Sequence, residues 1–342
     1  MKLTDAKKTV KHFVNFNAEL GQDAKNADYL IPMLWSLPGE GKTTMIGDLA
    51  EEMGYELETV VLGTFDPGEL AGFPALDEEN KEYYRARPFF LPREGCKPTI
   101  LFFDEAPQAP TACQNILAQV VNERRIGEHR LPRNVFPVVA GNPMAARAGT
   151  SPMPTQLKDR LTHFNIETDH EGFRKYGLER GFLPIITSYI RERPEFLQKF
   201  DPALNASPSP RGWQRVNSIL SIGMEEGLEN NAIEGQIGAA ALSDFAGYAR
   251  VYRDIPDSEG ILKDGENGEI PERPDVLYAL MSSLAHKVTK QNAKEFVKYI
   301  RKLPAREFAA FGMRDAVERN RELTTVKEIK AWLVADGKEL LL

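Results

Sequence analysis

The stretch Ser36-Leu37-Pro38-Gly39-Glu40-Gly41-Lys42-Thr43-Thr44 constrains the fold of this chain more than any other. A short apolar run, Ile31-Pro32-Met33-Leu34-Trp35, precedes it, and a helical pattern through Met45, Ile46, Leu49 and Ala50 follows. Strand, small-residue loop, Gly-Lys-Thr and helix is the context a phosphate-binding loop needs. Backbone N–H groups of the loop and of the first helical turn can cradle phosphates, and the helix dipole favours their charge. In such a loop Pro38, Gly39, Glu40, Gly41, Lys42, Thr43 and Thr44 surround the phosphates. Lys42 neutralises the β- and γ-phosphates, and Thr43 places its hydroxyl on Mg²⁺. One position departs from G-x-x-x-x-G-K-[ST], because Ser36 stands at the first glycine. The competing reading is a glycine-rich turn with a solvated lysine.

A second half of the site follows. Thr99-Ile100-Leu101-Phe102-Phe103 is a continuous apolar run ending in Asp104-Glu105. Such a run reads as a strand buried on both faces, as in parallel sheets. Its carboxyl end is where open α/β sheets bind ligands. Asp104 is expected to hold Mg²⁺, directly or through water, and Glu105 to orient and polarise the attacking water. Alone, the pair would read equally well as two surface acids; behind a phosphate loop it reads as the site.

A chain of 342 residues accommodates one large or two modest domains, and 42% apolar residues support a real core. The formal net charge of −7 argues against bulk electrostatic binding to nucleic acid or an anionic membrane. No signal-peptide pattern and no membrane-length apolar run is visible. Cys96 and Cys113 lack metal-type spacing, so a cytoplasmic protein with reduced thiols is expected. The five histidines form no HExxH or paired spacing, and no G-x-S-x-G elbow is present.

Periodicity predicts a helix over 4–20, a helix over 45–53, a strand over 58–62, a helix over 111–125 and a short buried strand over 136–141. Residues 66–74 hold too many breakers for a long helix. Strands alternating with helices predict an α/β, doubly wound parallel sheet. Beyond about residue 170 the segments 181–199, 210–226, 231–252, 274–301 and 305–334 all read as helical. The expected organisation is a nucleotide-binding core over 1–168, a helical lid over 169–253, an acidic loop over 254–274 and a C-terminal helical segment over 275–342.

The order Leu37-Pro38-Gly39-Glu40-Gly41-Lys42-Thr43, Asp66-Pro67-Gly68-Glu69-Leu70-Ala71-Gly72, Leu101-Phe102-Phe103-Asp104-Glu105-Ala106, Val139-Ala140-Gly141-Asn142-Pro143 and Leu157-Lys158-Asp159-Arg160-Leu161 resembles a MoxR-type AAA+ ATPase. The resemblance covers residues 30–165 and extends more loosely to Ser207-Pro208-Ser209-Pro210-Arg211-Gly212-Trp213. It departs at Ser36, and at Gly141, where the family often has glutamine. It implies a Mg²⁺-dependent ATPase working as a homo-oligomeric, hexameric ring. Such proteins commonly act as chaperones or remodelling factors on a partner protein, often alongside one with a von Willebrand factor A domain.

The resemblance also assigns roles. Asn142 becomes sensor 1, where a neutral amide can bond the attacking water or the γ-phosphate without repelling either; a turn asparagine before Pro143 is the alternative. Arg160 becomes the arginine finger of the next subunit's site, against a surface pair with Asp159. Arg211 becomes sensor 2. Ser209 can cap the helix with Pro210 in its first position. A cation in that first turn opposes the helix dipole, which favours a phosphate as its reason; a structural salt bridge is the alternative.

Residues 66–90 hold the family's helix-2 insert. Tyr83, Tyr84, Arg85 and Arg87 either grip a partner or form a hairpin packed on the sheet. Arg124, Arg125, His129, Arg130 and Arg133 are the densest basic cluster, readable as a solvated helix end or as a pore contact. A second function class is a nucleic-acid motor or the GTP-dependent subunit of a restriction system. Asn142-Pro143-Met144-Ala145 lacks the acid that the restriction type requires, and the acidic balance disfavours both. A third is a nucleotide-binding switch without turnover, against which Glu105 and Arg160 argue.

Overall fold

The computed structural model describes residues 1–21, 23–79, 81–143, 152–253 and 255–336. Met144 and Ala145 therefore lie outside the described residues. The chain divides into two compact units, Met1–Gly172 with Phe200–Ala203, and Phe173–Lys199 with Leu204–Leu342.

The first unit runs α1 (Leu3–Glu19), β1 (Pro32–Trp35), α2 (Lys42–Met53), β2 (Glu56–Val61), α3 (Pro67–Ala71), β3 (Pro74–Asp77), β4 (Glu82–Arg85), β5 (Thr99–Asp104), α4 (Thr111–Glu123), β6 (Arg125–Ile126), β7 (His129–Arg130), β8 (Val135–Gly141), α5 (Thr155–Lys158) and β9 (Thr162–Asn165). Five strands form one sheet in the order β2-β5-β8-β1-β9, every pair parallel. This is the expected doubly wound α/β core. Successive side chains of a strand point to opposite faces, and both faces are apolar here. Met33, Leu101, Phe103 and Val139 pack with Leu117 and Val121 of α4 and Leu157 of α5. Leu34, Ile100, Phe102, Val138 and Ala140 pack with Val10 and Val14 of α1 and Ile46 and Leu49 of α2. Each of these side chains larger than alanine contributes about 1.5–3 kcal/mol on burial, so the central strands are strongly determined. The edge strand β9 alternates intermediate and exposed residues, which is why it carries no strong apolar signal.

Within 66–90, α3 is followed by a two-stranded hairpin in which β3 pairs antiparallel with β4, Leu76 opposite Tyr83 and Ala75 opposite Tyr84. Gly72 turns into it at φ +83°, where a Cβ would lie 1.9 Å from the Ala86 carbonyl oxygen. Tyr83 is 79% exposed, and Tyr84, Leu76, Phe73 and Phe89 are exposed as well. The hairpin thus does not bury its aromatics against the sheet.

The second unit is helical: α6 (His170–Glu179), which begins in the first unit, α7 (Pro184–Glu192), α8 (Pro210–Ile222), α9 (Glu226–Arg253), α10 (Ser258–Lys263), α11 (Pro274–Lys287), α12 (Ala293–Arg301), α13 (Arg306–Arg319) and α14 (Lys327–Ala335). One apolar cluster gathers Tyr189, Trp213 and Phe245, another Leu280, Phe296, Tyr299 and Trp332. Arg174 of α6 reaches Asp315 at 3.1 Å and also Glu318, and Arg319 holds Asp315 from the other side at 3.1 Å.

Several predicted helices are shorter or divided. The segment 181–199 is α-helical only over Pro184–Glu192, with a 3-10 turn at Pro194–Phe196. Arg193 leaves the helical region at φ −126° and ψ 62°, since a residue before proline avoids it. Segment 274–301 breaks where Asn292 Oδ1 accepts the Thr289 N–H at 2.6 Å. Segment 305–334 breaks at Asn320, whose side chain accepts the Glu322 N–H at 3.1 Å. Both are local asparagine bonds that compete with helix continuation. The acidic stretch 254–274 contains α10, capped by Asp257 and burying Ile261 and Leu262. The long α9 is two helices across a kink at Gly238, φ +79°. No helix among the described residues is long and apolar enough to cross a membrane.

Candidate functional site

The site lies at the carboxyl edge of the parallel sheet. β1 ends at Trp35, and Ser36 N–H donates to the Gly141 carbonyl at 3.3 Å, so the glycine-rich loop leaves the sheet beside β8. Gly39 and Gly41 take φ of +82° and +90°, left-handed values that favour glycine. α2 then starts at Lys42, with Met45 N–H bonded to Gly41 O at 2.9 Å. Ser36 is buried and is not left-handed, so its departure from glycine carries no backbone strain. Its hydroxyl accepts from Lys42 Nζ at 2.7 Å and donates to the Leu37 carbonyl at 2.9 Å.

Lys42 is buried, and its ammonium also donates to Ser36 O at 3.3 Å and to Asn142 Oδ1 at 2.9 Å. Thr43 Oγ1 donates to Asp104 Oδ2 at 2.8 Å. Asp104 Oδ1 accepts the Glu105 backbone N–H at 2.8 Å. The structure thus brings together Lys42, Thr43, Asp104, Glu105 and Asn142, contributed by the first turn of α2 and by the ends of β5 and β8. Glu105 sits at φ +56° and ψ +30°, a left-handed conformation costing a residue with a Cβ about 1–2 kcal/mol. Its carboxylate lies over Gly63, where an added Cβ would be 3.4 Å from Oε2. Strained residues of this kind cluster at functional sites. A hydroxyl and a carboxylate form a hard oxygen pair suited to Mg²⁺, which usually takes one or two carboxylates together with substrate phosphates.

The packing explains Gly141. A Cβ there would lie 2.2 Å from Pro107 Cδ and 3.2 Å from Met33 Cε. The residue is glycine because the turn after Asp104-Glu105 presses on β8.

Glu40 is turned toward Thr168, whose hydroxyl donates to Oε1 at 2.6 Å. Burial pushes the Glu40 carboxyl above the ordinary carboxylate range, opposed by the Thr168 bond and the Lys42 charge and aided by Asp169. This partnership was invisible in sequence, because 128 positions separate Glu40 from Thr168.

Arg160 follows α5 in a turn where its N–H bonds Leu157 O at 3.3 Å. It is exposed, and among the described residues no hydrogen bond or ion pair holds its guanidinium, Asp159 included. Arg211 belongs to the second unit. Ser209 Oγ accepts the Gly212 N–H at 3.1 Å, and Pro210 opens α8. Arg211 thus lies in the first turn, exposed and without an ion pair among the described residues.

The basic cluster disperses. Arg124 is buried, donates to Pro132 O at 2.8 Å and Val135 O at 2.9 Å, and stacks 4.1 Å over Tyr29. It is a structural tie, neither a solvated helix end nor a pore contact. Arg125 pairs with Glu123, and Arg133 donates to Gly21 O.

No family model matches the sequence, and no curated protein matches it. Among solved structures the chain is similar to the Thermotoga maritima RuvB Holliday junction branch migration motor, at 17% identity over 82% of this chain and 81% of that one, with a TM-score of 0.38. It is also similar to NtrX from Brucella abortus in complex with ADP, at 15% identity over 98% of this chain and 68% of that one, with a TM-score of 0.35. Likeness this distant assigns no function.

Proposed function

We propose that this chain is a MoxR-type AAA+ ATPase that hydrolyses ATP with Mg²⁺ and uses the energy to remodel a partner protein in the cytoplasm. The carrying observation is the convergence of Lys42, Thr43, Asp104 and Asn142 on one sheet edge, with Glu105 held beside them. In this reading Lys42 exchanges Ser36 and Asn142 for the β- and γ-phosphates. Thr43 and Asp104 hold the Mg²⁺, which would spread the charge of the phosphate oxygens. Glu105 accepts a proton from the attacking water, and Asn142, once free of Lys42, orients that water. Arg160 of a neighbouring subunit in a hexameric ring stabilises the transferring phosphoryl group, and Arg211 contacts phosphate as sensor 2. The exposed, aromatic-rich insert supports a protein as the working substrate, with a von Willebrand factor A protein as the expected associate.

The test concerns the partner. Tyr83→Ala/Tyr84→Ala should fold and keep basal ATPase, because both rings are exposed. It should lose stimulation by, or capture of, a partner encoded beside it. DNA should bind weakly even at low salt, since the chain's net charge is −7. Tight, salt-dependent DNA binding that stimulates ATPase would replace the remodelling reading with a nucleic-acid motor.

A further inference from the structure

Trp35 is the last residue of β1, immediately before the phosphate loop, and His163 lies on the neighbouring strand β9. The register pairs Met33 with His163 and Trp35 with Asn165. Trp35 and His163 therefore share a face of the sheet, one diagonal step apart. Their ring planes are 18° apart with centroids 6.0 Å apart, and the indole Nε1–H donates to His163 Nδ1 at 2.8 Å. An indole nitrogen can only donate, so Nδ1 is the acceptor and the ring proton sits on Nε2. Nε2 donates to the Lys158 carbonyl at 2.9 Å. That oxygen also accepts the Leu161 N–H at 3.2 Å. Lys158 closes α5, and the turn from Lys158 to Leu161 carries Arg160. A continuous path thus joins the root of the phosphate loop to the Arg160 turn.

We propose that Trp35 and His163 are positioning residues for Arg160, fixing its turn against the strand that carries the phosphate loop. This rests on the reading of Arg160 as a finger acting in the neighbouring subunit. The bonds belong to the subunit that donates the finger, so the effect of losing them follows the donor.

Aromatic replacements make the test. His163→Phe keeps a ring and loses both bonds; Trp35→Phe keeps a ring and loses the donor. Each should leave the Kd for ATP within about threefold and lower kcat about three- to tenfold, the scale of a slightly misplaced catalytic group. The double variant should be no slower than His163→Phe, because both remove one chain of bonds. In mixed rings with Arg160→Ala subunits, Lys42→Ala/His163→Phe should complement less well than Lys42→Ala. Placing His163→Phe in the Arg160→Ala pocket subunit instead should change nothing. The Trp35 indole N–H resonance, assigned with Trp35→Phe, should move upfield in His163→Phe. His163→Gln, whose amide can accept from Trp35 and donate to Lys158, should recover part of the rate if His163→Phe folds poorly. Equal loss from either side of the interface, or none, would overturn the positioning role while leaving the finger intact. Failure of Lys42→Ala to complement Arg160→Ala in verified mixed rings would overturn both.

Discussion

Lys42 Nζ lies 2.9 Å from Asn142 Oδ1. The lysine that would meet the phosphates and the asparagine that would meet the water or γ-phosphate occupy each other, and Ser36 Oγ completes the arrangement at 2.7 Å. In the proposed function, nucleotide displaces these bonds to recruit Lys42. Lys42→Ala should abolish nucleotide binding or nearly so, measured by fluorescent ATP titration. Asn142→Ala should bind nucleotide and lose turnover by about 10²-fold, the range for removing one oriented polar group from a transition state. Asn142→Ala turning over at the parent rate would remove Asn142 from the site.

Gly141 and Pro107 form a second coupled pair, with only 2.2 Å available between a Cβ at 141 and Pro107 Cδ. Gly141→Ala should destabilise the first unit by about 1–3 kcal/mol, the usual cost of overpacking. Adding Pro107→Ala should recover part of the loss. Urea unfolding of the single and double variants measures this, and strict additivity would contradict the contact.

Burial holds the Glu40 carboxyl above its ordinary range. A carboxyl raised on folding stabilises fully below its unfolded value, and that contribution is lost as pH rises through the folded value. Glu40→Gln cannot ionise, so it should be favoured over the parent increasingly as pH climbs from about 4 toward neutrality. Melting temperatures across that range would show it; parallel curves would contradict a buried, titrating Glu40.

Arg160 is exposed and, among the described residues, bonded through its backbone alone. Its replacement by alanine should therefore leave folding and ATP binding intact while lowering hydrolysis steeply. Fingers in other phosphoryl-transfer systems are worth roughly 10³–10⁵ in rate. Mixing Arg160→Ala with excess Lys42→Ala should restore activity, since one subunit offers the pocket and the other the finger. Phosphate release from mixed rings of verified composition measures this.

The parts legible in sequence were those fixed by local chemistry. Gly39 and Gly41 had to be glycine for their backbone, and the apolar runs of β5 and β8 had to be central strands. Asp104 followed from the end of β5, whereas Asn142 was singled out only by the resemblance. The rest depended on contacts between distant segments. β9 is a half-exposed edge strand without a strong period. Arg124 read as a helix-end cation or a pore contact, yet it is buried by Tyr29 and by carbonyls that only the tertiary structure assembles. The helical half was recognised by type, but its breaks at Asn292 and Asn320 arise from single side-chain bonds that periodicity does not register.

The most direct measurement is phosphate release by the parent protein and by Glu105→Gln, with ATP binding followed in parallel. The carboxylate can accept a proton from water and the amide cannot. The parent should release phosphate from ATP with Mg²⁺ and stop when Mg²⁺ is chelated. Glu105→Gln should bind ATP as tightly and release almost none. A parent that binds ATP without turnover, or a Glu105→Gln protein that hydrolyses at the parent rate, would contradict the account.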